Sequence, residues 1–559
     1  HLNAVTIDGA ISGTGVVNQI GTGTTTLSGA NTYTGGTTIS SGTLVGSASS
    51  FGTGDILDNA ALVVDQPTDG ALVGALNGTG SFTKQGAAAV SYTGTGNLSG
   101  ATTIAAGTLA MNGSLARSAV TVKSGATLAG TGTVGATTVE AGGTIAPGNN
   151  TIGKLNVNGN YTQASGSTYH VEIDPNSNAS DLISATGAAT VASGAVLDVA
   201  KATSGNYRVG TRYTVVDAAG GLTGTYTLTG ATSSPLSAFL NLVDSYDAND
   251  AYLTVEQSRD LTDAADTPDQ TATAGGIASI PGADSTTTGT LETIVLNSPT
   301  DADAQAAFNQ LSGEARSSAQ TAEIEDGHFV RDAVVGRVRD AFCAVATERS
   351  KAHCTDADRF GVWGEAFGSR GHTNNNGNAA TLNRSTGGLF VGIDAPVFNG
   401  WRLGMAGGFG SSSFDVKDRA SSGSSDDYHL GVYGGTQRGR LGFRAGAAYA
   451  VHGVVTDRFV NLPGFADTLS GDYNAGTAQL FGDLGYKIGG GRVAVEPFGD
   501  VAYVSLHTDA FAERGGEAAL ASDGNSTNVT FTTLGLRPEG SVTLGAMNTT
   551  LRGSVGWQH

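Results

Sequence analysis

The chain has 559 residues and a net charge of −20, yet only 14% of its residues are charged, against about 25% in ordinary soluble proteins. Its 85 Gly follow no three-residue period and stand beside only 11 Pro, which excludes collagen-like and Pro-rich rods, and an acidic chain with no basic run excludes a nucleic-acid binder. No run of about 18 apolar residues occurs, so no transmembrane helix is expected; a membrane β-barrel, whose strands need about 9–11 residues, stays open.

Residues 1–258 are rich in Gly, Thr, Ser, Ala and Val and hold only three Phe (Phe51, Phe82, Phe239) and no Trp. They repeat. The unit TISSGTL at 38–44 returns as TIAAGTL at 103–109, and with one residue inserted at 121–128, 138–145 and 190–197. Short β-branched strands, a Gly corner and a following apolar residue suit one coil of a parallel β-helix, each coil stacking on the last. Regular β-branched spacing argues against the alternative, a disordered low-complexity tract.

From about 259 the composition turns to Ala, Asp, Glu and Arg, and a helical connecting segment is expected over 259–312. The longest candidate helix is 313–342. About 28 helical residues would reach about 42 Å, more than a bilayer core. Its charges, Glu323, Glu325, Arg331, Arg337 and Arg339 among them, exclude a lipid-facing span. It could cross a membrane only inside a polar pore.

From 356 onward aromatics return, with all three Trp, and the pattern alternates with period two. Over 440–452, Leu441, Phe443, Tyr449 and Val451 share one face, while Arg444, Ala450 and His452 share the other. Apolar-out, small-and-polar-in alternation over nine candidate strands is the pattern of an outer-membrane barrel rather than of a soluble sandwich. A single-chain bacterial barrel has an even strand count and no open edge, so further strands are expected beyond His559; both ends of the chain read as cut.

The segments GTGTTTLSGANTYTGGTTISSGTLVGS (21–47), GATLAGTGTVGATTVEAGGTIAPGNNTIGKLNVNGNYTQASGSTYHVEID (125–174), LSGEARSSAQTAEIEDGHFVRDAVVGRVRDAF (311–342), VWGEAFG (362–368) and TGGLFVGID (386–394), in this order, resemble the autotransporter family of Gram-negative bacteria, the type V secretion proteins. The resemblance implies a mainly β chain: a right-handed passenger β-helix over 1–258, with 110–258 as autochaperone-like coils, a linker helix and short loop over 313–355, and a translocator barrel over 356–559. By family measure the barrel has twelve strands, roughly three more than are visible. It also implies an outer-membrane location with the passenger at the cell surface, contact with membrane lipid, and assembly by the barrel-assembly machinery and periplasmic chaperones.

If the helix plugs the lumen, Arg331, Arg337 and Arg339 need acidic wall partners such as Glu365, Asp483, Glu496 or Asp500, and its acids need basic ones such as Arg402, Arg444 or Arg552. Cys343 and Cys354 bracket ten residues, with a disulfide and two free thiols both open. Gly130–Gly135 matches GxGxxG without a following helix and reads as a β-helix corner rather than a nucleotide loop, while Ser81-Phe82-Thr83-Lys84 matches Ser-x-x-Lys within a strand pattern and reads as chance. Asp174, Asp181 and Asp198 read as solvated turn acids. A Ser-His-Asp triad in the first region would have to use His1 or His170. No catalytic, cofactor or metal site is expected in this stretch. Some family members cut themselves at an Asn-Asn pair in the helix, and 313–342 has none. Three functions remain: a secretion and display device, a surface adhesin using the β-helix on a host or cell-surface ligand, and a secreted serine protease or esterase with its catalytic domain upstream of His1.

Overall fold

A computed structural model describes residues 3–230, 235–280, 288–342, 359–490, 493–544 and 547–559. Strand makes up 55% of the chain and helix 12%, in a β-solenoid of about 8 turns, a linker helix and a curled half-barrel of 9 antiparallel strands. Two units form, His1–Ala264 with Glu292–Ala304, and Ala265–Leu291 with Gln305–His559.

In the first unit the short strands stack in parallel, coil on coil. Their alternation turns one set of side chains inward. Val90, Leu109, Leu128, Ile145, Tyr169, Leu197 and Leu228 lie in one register column, so like packs on like along the axis. The outward set is polar and β-branched: Thr83, Thr103, Thr121, Thr138, Thr162, Thr190 and Thr223 form a second column, continued by Val63, Val45, Thr26 and Thr6. At the corners Gly107, Gly125 and Gly142 adopt φ of +64°, +76° and +75°, which explains the repeated Gly in the sequence unit. Side-chain oxygens also tie a coil to its successor: Asp55 Oδ1 accepts from the Ala75 N–H at 2.9 Å, and Asp69 Oδ1 from the Ala89 N–H at 2.8 Å.

Buried polar groups interrupt the column pattern. Lys84, between Val64 and Ile104 in register, is fully buried. Its Nζ donates to the carbonyls of Gln85, Gly86 and Ala106 at 3.1, 2.8 and 2.9 Å, and burial holds its pKa below the usual lysine value. Asp181 is not the solvated acid that the sequence suggested. It is 1% exposed and accepts from the Gly153 and Glu172 N–H groups at 2.7 and 3.0 Å, and burial pushes its pKa up to about 7.

The last coils depart from a pure parallel stack. Arg212–Ala218 pairs antiparallel with Asp250–Gln257, which pairs antiparallel with Leu240–Tyr246. The hairpin covers a strand edge that would otherwise template another coil. This end is also where tyrosines concentrate: Tyr161, Tyr169 and Tyr213 are fully buried, and Tyr169 Oη donates to the Val215 carbonyl at 2.9 Å. The connecting segment forms α1 (Pro268–Ala278), α2 (Thr288–Leu296) and α3 (Asp301–Leu311). Thr267 caps α1 by accepting from the Gln270 N–H, with Pro268 at the first helical position.

In the second unit the strands run Gly361–Thr373, Leu382–Phe398, Trp401–Val416, Ser421–Arg438, Leu441–Leu462, Phe465–Tyr486, Val493–Thr508 and Asn525–Leu544, with Met547–Arg552 and Val555–Gln558 together forming the ninth. All pair antiparallel with their neighbours, and among the described residues the first and last strands do not pair with each other. The expected alternation is present and spatially sorted. Leu389, Val391, Leu403, Met405, Leu430, Val432, Tyr449 and Leu480 are exposed on one face, while Arg402, Arg444, His452 and Asp483 are buried on the other.

Candidate functional site

The buried polar face of the half-barrel is covered by a helical segment. Sequence periodicity suggested one helix over 313–342; the structure has two, α4 (Glu314–Asp326) and α5 (His328–Ala341), joined at Gly327. Gly327 keeps helical dihedrals and its N–H reaches the Glu323 carbonyl at 3.2 Å, so the interruption is a local irregularity rather than a turn. Glycine is the weakest helix former after proline, which places the irregularity there.

Apolar residues on α4 and α5 seat the segment. Val334, Val335 and Val338 pack with Ala406, Tyr433, Phe481 and Ala502, and Val330 and Ala333 pack with Phe390. Small wall residues make the approach possible: a Cβ at Gly435 would fall 2.7 Å from Val338 Cγ1.

Several of the charges on the helices are met by charged wall residues. Arg337 Nε lies 2.7 Å from Asp394 Oδ2, and the same carboxylate holds Arg402 Nε and accepts from Tyr433 Oη at 2.9 Å. Trp363 Nε1 in turn donates to Tyr433 Oη at 2.7 Å. Arg339 Nε meets Glu496 Oε2 at 3.3 Å. Asp340 meets Arg552 at 2.5 Å, Glu325 and Asp326 share Arg384, and Glu314 meets Arg419 at 2.5 Å. Within the wall, Arg444 bridges Asp483 and Glu496 at 2.7 and 2.6 Å, and Arg537 reaches Asp483 at 2.7 Å. Buried charges tied this way hold a geometry, because removing one partner leaves the other uncompensated.

The sequence-named residues divide accordingly. Glu496 and Arg552 do meet helix charges. Arg402 and Arg444 instead bind wall acids, and Asp483 serves the wall rather than the helix. Arg331 donates to the neutral Gln479 Oε1 at 2.8 Å, not to an acid. Asp500 lines, with His328, Arg331, Asp332, Asp483 and Arg537, a cavity of about 570 Å³. Glu365 is exposed and makes no ion pair among the described residues. Glu323 is buried and Glu325 half-buried. Asp394, Arg384, Arg419 and Arg537 were missed. Asp394 was legible, since it shares the parity of Phe390 and opposes the outward Val391 and Ile393. Cys343 and Cys354 lie outside the described residues.

The remaining motifs carry no assembled chemistry. Gly130 is a solenoid corner with φ +101°. Ser81 is exposed and Lys84 buried, so they stand on opposite faces of their strand. His170 Nδ1 lies 2.9 Å from Asp198 Oδ2, but among the described residues no hydroxyl nucleophile is hydrogen-bonded to His170.

Residues 362–559 match the Autotransporter beta-domain, and residues 17–45 and 82–111 match the Passenger-associated-transport-repeat. An extracellular serine protease of Serratia marcescens is 31% identical over 529 residues, covering 87% of this chain and 49% of that protein. A second extracellular serine protease of that organism is 36% identical over 255 residues, 46% of this chain and 24% of the relative, so the chain spans less than half of either. The translocator domain of the autotransporter NalP from Neisseria meningitidis is 18% identical, with 42% of this chain and 77% of that chain covered and a TM-score of 0.33. With passenger repeats in the solenoid and the beta-domain in the antiparallel strands, the chain belongs to the autotransporter family.

Proposed function

We propose that this chain is the outer-membrane part and proximal passenger of an autotransporter: the barrel carries the solenoid across the membrane and then anchors it at the cell surface. The observation that carries the reading is the sorting of one sheet into an exposed apolar face and a buried charged face with a charged helix seated on it. Lipid suits the first face, and only a polar interior suits the second. Folding of the coils outside, each burying the edge of its predecessor, supplies a direction for transport without ATP. The barrel-assembly machinery, periplasmic chaperones and membrane lipid are its partners in this reading. The chain with its native flanking sequence should fractionate with outer membranes, migrate differently before and after boiling, and expose the solenoid to protease on intact cells. A soluble product with no heat-dependent shift overturns it.

The relatives' names favour a second, compatible statement: the passenger of the whole protein is a secreted serine protease. Labelling of the secreted or surface fraction by a fluorophosphonate probe tests it; an unlabelled passenger rejects it and leaves the adhesin reading.

A further inference from the structure

Between α4 and the wall lies a group of titratable residues that the seating pairs above do not include. Glu323 on α4 is 5% exposed, and neither of its carboxylate oxygens has a hydrogen-bond partner. The charged groups acting on it are His452, Asp427 and Asp326. His452 is 3% exposed; its Nδ1 lies 2.7 Å from Asp427 Oδ1 and its Nε2 lies 2.8 Å from Thr477 Oγ1. Ser425 Oγ donates to Asp427 Oδ1 at 2.5 Å. The His429 ring stands 6.4 Å from that of His452, and its Nδ1 is without a partner. Glu323 and Arg316 of α4 both act on the buried Tyr473, whose Oη has no hydrogen-bond partner. Asp326 is tied to Arg384, and His328 of α5 acts on Asp326.

A carboxylate without donors in a dry site is costly, and Asp427 adds a second negative charge facing the same imidazole. Arg384 is shared between Glu325 and Asp326, so the compensating charge next to Glu323 has to come from a proton, on His452 or on Glu323 itself. Lifting α4 off the wall returns Glu323 to water, where it ionises freely, and leaves Asp427 to pair His452 alone. The seated state therefore holds more protons than the unseated one. We infer that the seating of α4 is proton-linked through Glu323 and His452, tightening as pH falls through the histidine range and loosening as it rises.

Hydrogen exchange of the amides of 318–326 in the full chain, in lipid vesicles and corrected for intrinsic rates, reads this between pH 6 and 8.5. A one-unit difference in proton affinity between the two states gives about a tenfold loss of protection in total as the pH rises through both values. Glu323→Gln should flatten the dependence and keep protection high at pH 8.5. Heat-dependent mobility serves as the folding control. Should that variant fail to assemble, His452→Gln is read by the same criterion of slope. A wild-type profile without slope, or a slope that survives the substitution, overturns the proposal.

Discussion

The solenoid and the half-barrel are built from the same period-two strands with opposite polarity. In the solenoid, Leu109, Leu128 and Ile145 point in and threonines point out; in the barrel, Leu403, Leu430 and Leu480 point out and Arg402, Arg444 and Asp483 point in. The solenoid faces water and makes its own dry core, so its inward charges are few, and Lys84 is satisfied by backbone carbonyls within two neighbouring coils. The barrel faces hydrocarbon, so its charges gather in a shared network reaching across strands and onto the helix. A coil depends on its neighbours. A wall charge depends on partners far apart in sequence.

The sharpest way to test that contrast is to remove one hub of the network. Asp394 is 2% exposed and serves Arg337, Arg402 and Tyr433 together. Asp394→Ala strips both guanidiniums of their shared carboxylate and should cost about 3–5 kcal/mol, the usual scale for breaking a buried ion pair. Urea-dependent loss of heat-modifiable mobility measures it. A cost below about 1 kcal/mol would mean that the network does not act as one.

A matched pair of substitutions addresses polarity directly. Leu480→Arg places a charge on the exposed face of the barrel and should destabilise the membrane-inserted form by about 2–4 kcal/mol if the site lies near the bilayer midplane. Thr121→Arg places the same side chain on the outward face of a solenoid coil and should stay within about 0.5 kcal/mol in urea melts of the passenger. Equal effects at the two sites would erase the distinction.

Much of this architecture was readable in the sequence because both units obey side-chain alternation. Alternation separates the faces but does not choose partners. Arg331 has an acid, Asp500, lining the same cavity, yet bonds Gln479, since which wall atom lies beneath a helix residue depends on strand register and helix rotation. Nor does alternation reveal strand direction: Asp250–Gln257 has the same pattern whether it stacks on Arg212–Ala218 in parallel, as the earlier coils do, or antiparallel, as it does here. Asp181 was misjudged because its turn-like neighbours Asp174, Asn176 and Ser177 concealed a side chain folded back onto the Gly153 and Glu172 amides.

That buried acid distinguishes the units by pH. Burial raises its pKa from 3.8 to about 7, so folding of its coil takes up a proton. The sign follows from linkage: stability is greatest below the unfolded value and declines as pH rises from about 4 toward 7, beyond which it levels off. Thermal melts of the passenger between pH 4 and 8 should show this decline. Asp181→Ala should reduce the slope while lowering stability throughout, because two backbone N–H groups lose their acceptor. An unchanged slope in the variant would move the proton to another group, of which Asp58, fully buried and raised to about 6, is next.

The smallest expected effect concerns the threonine column. Seven threonines from Thr83 to Thr223 stand in one register line, partly or fully exposed, which invites the idea that their hydroxyls matter. The same line continues through Val63 and Val45 between threonines, so a coil accepts either side chain at this position. What the two share is branching at Cβ, which restricts χ1 and favours extended backbone. Thr121→Val should therefore change passenger stability by less than about 0.5 kcal/mol, whereas Thr121→Gly, which removes the branch and frees the unfolded chain, should cost about 1 kcal/mol or more. Equilibrium urea unfolding of the two variants separates the cases. A loss in Thr121→Val as large as in Thr121→Gly would show that the hydroxyl, through water or a neighbouring side chain, stabilises the outer face of the solenoid as the carboxylates and guanidiniums stabilise the inner face of the barrel.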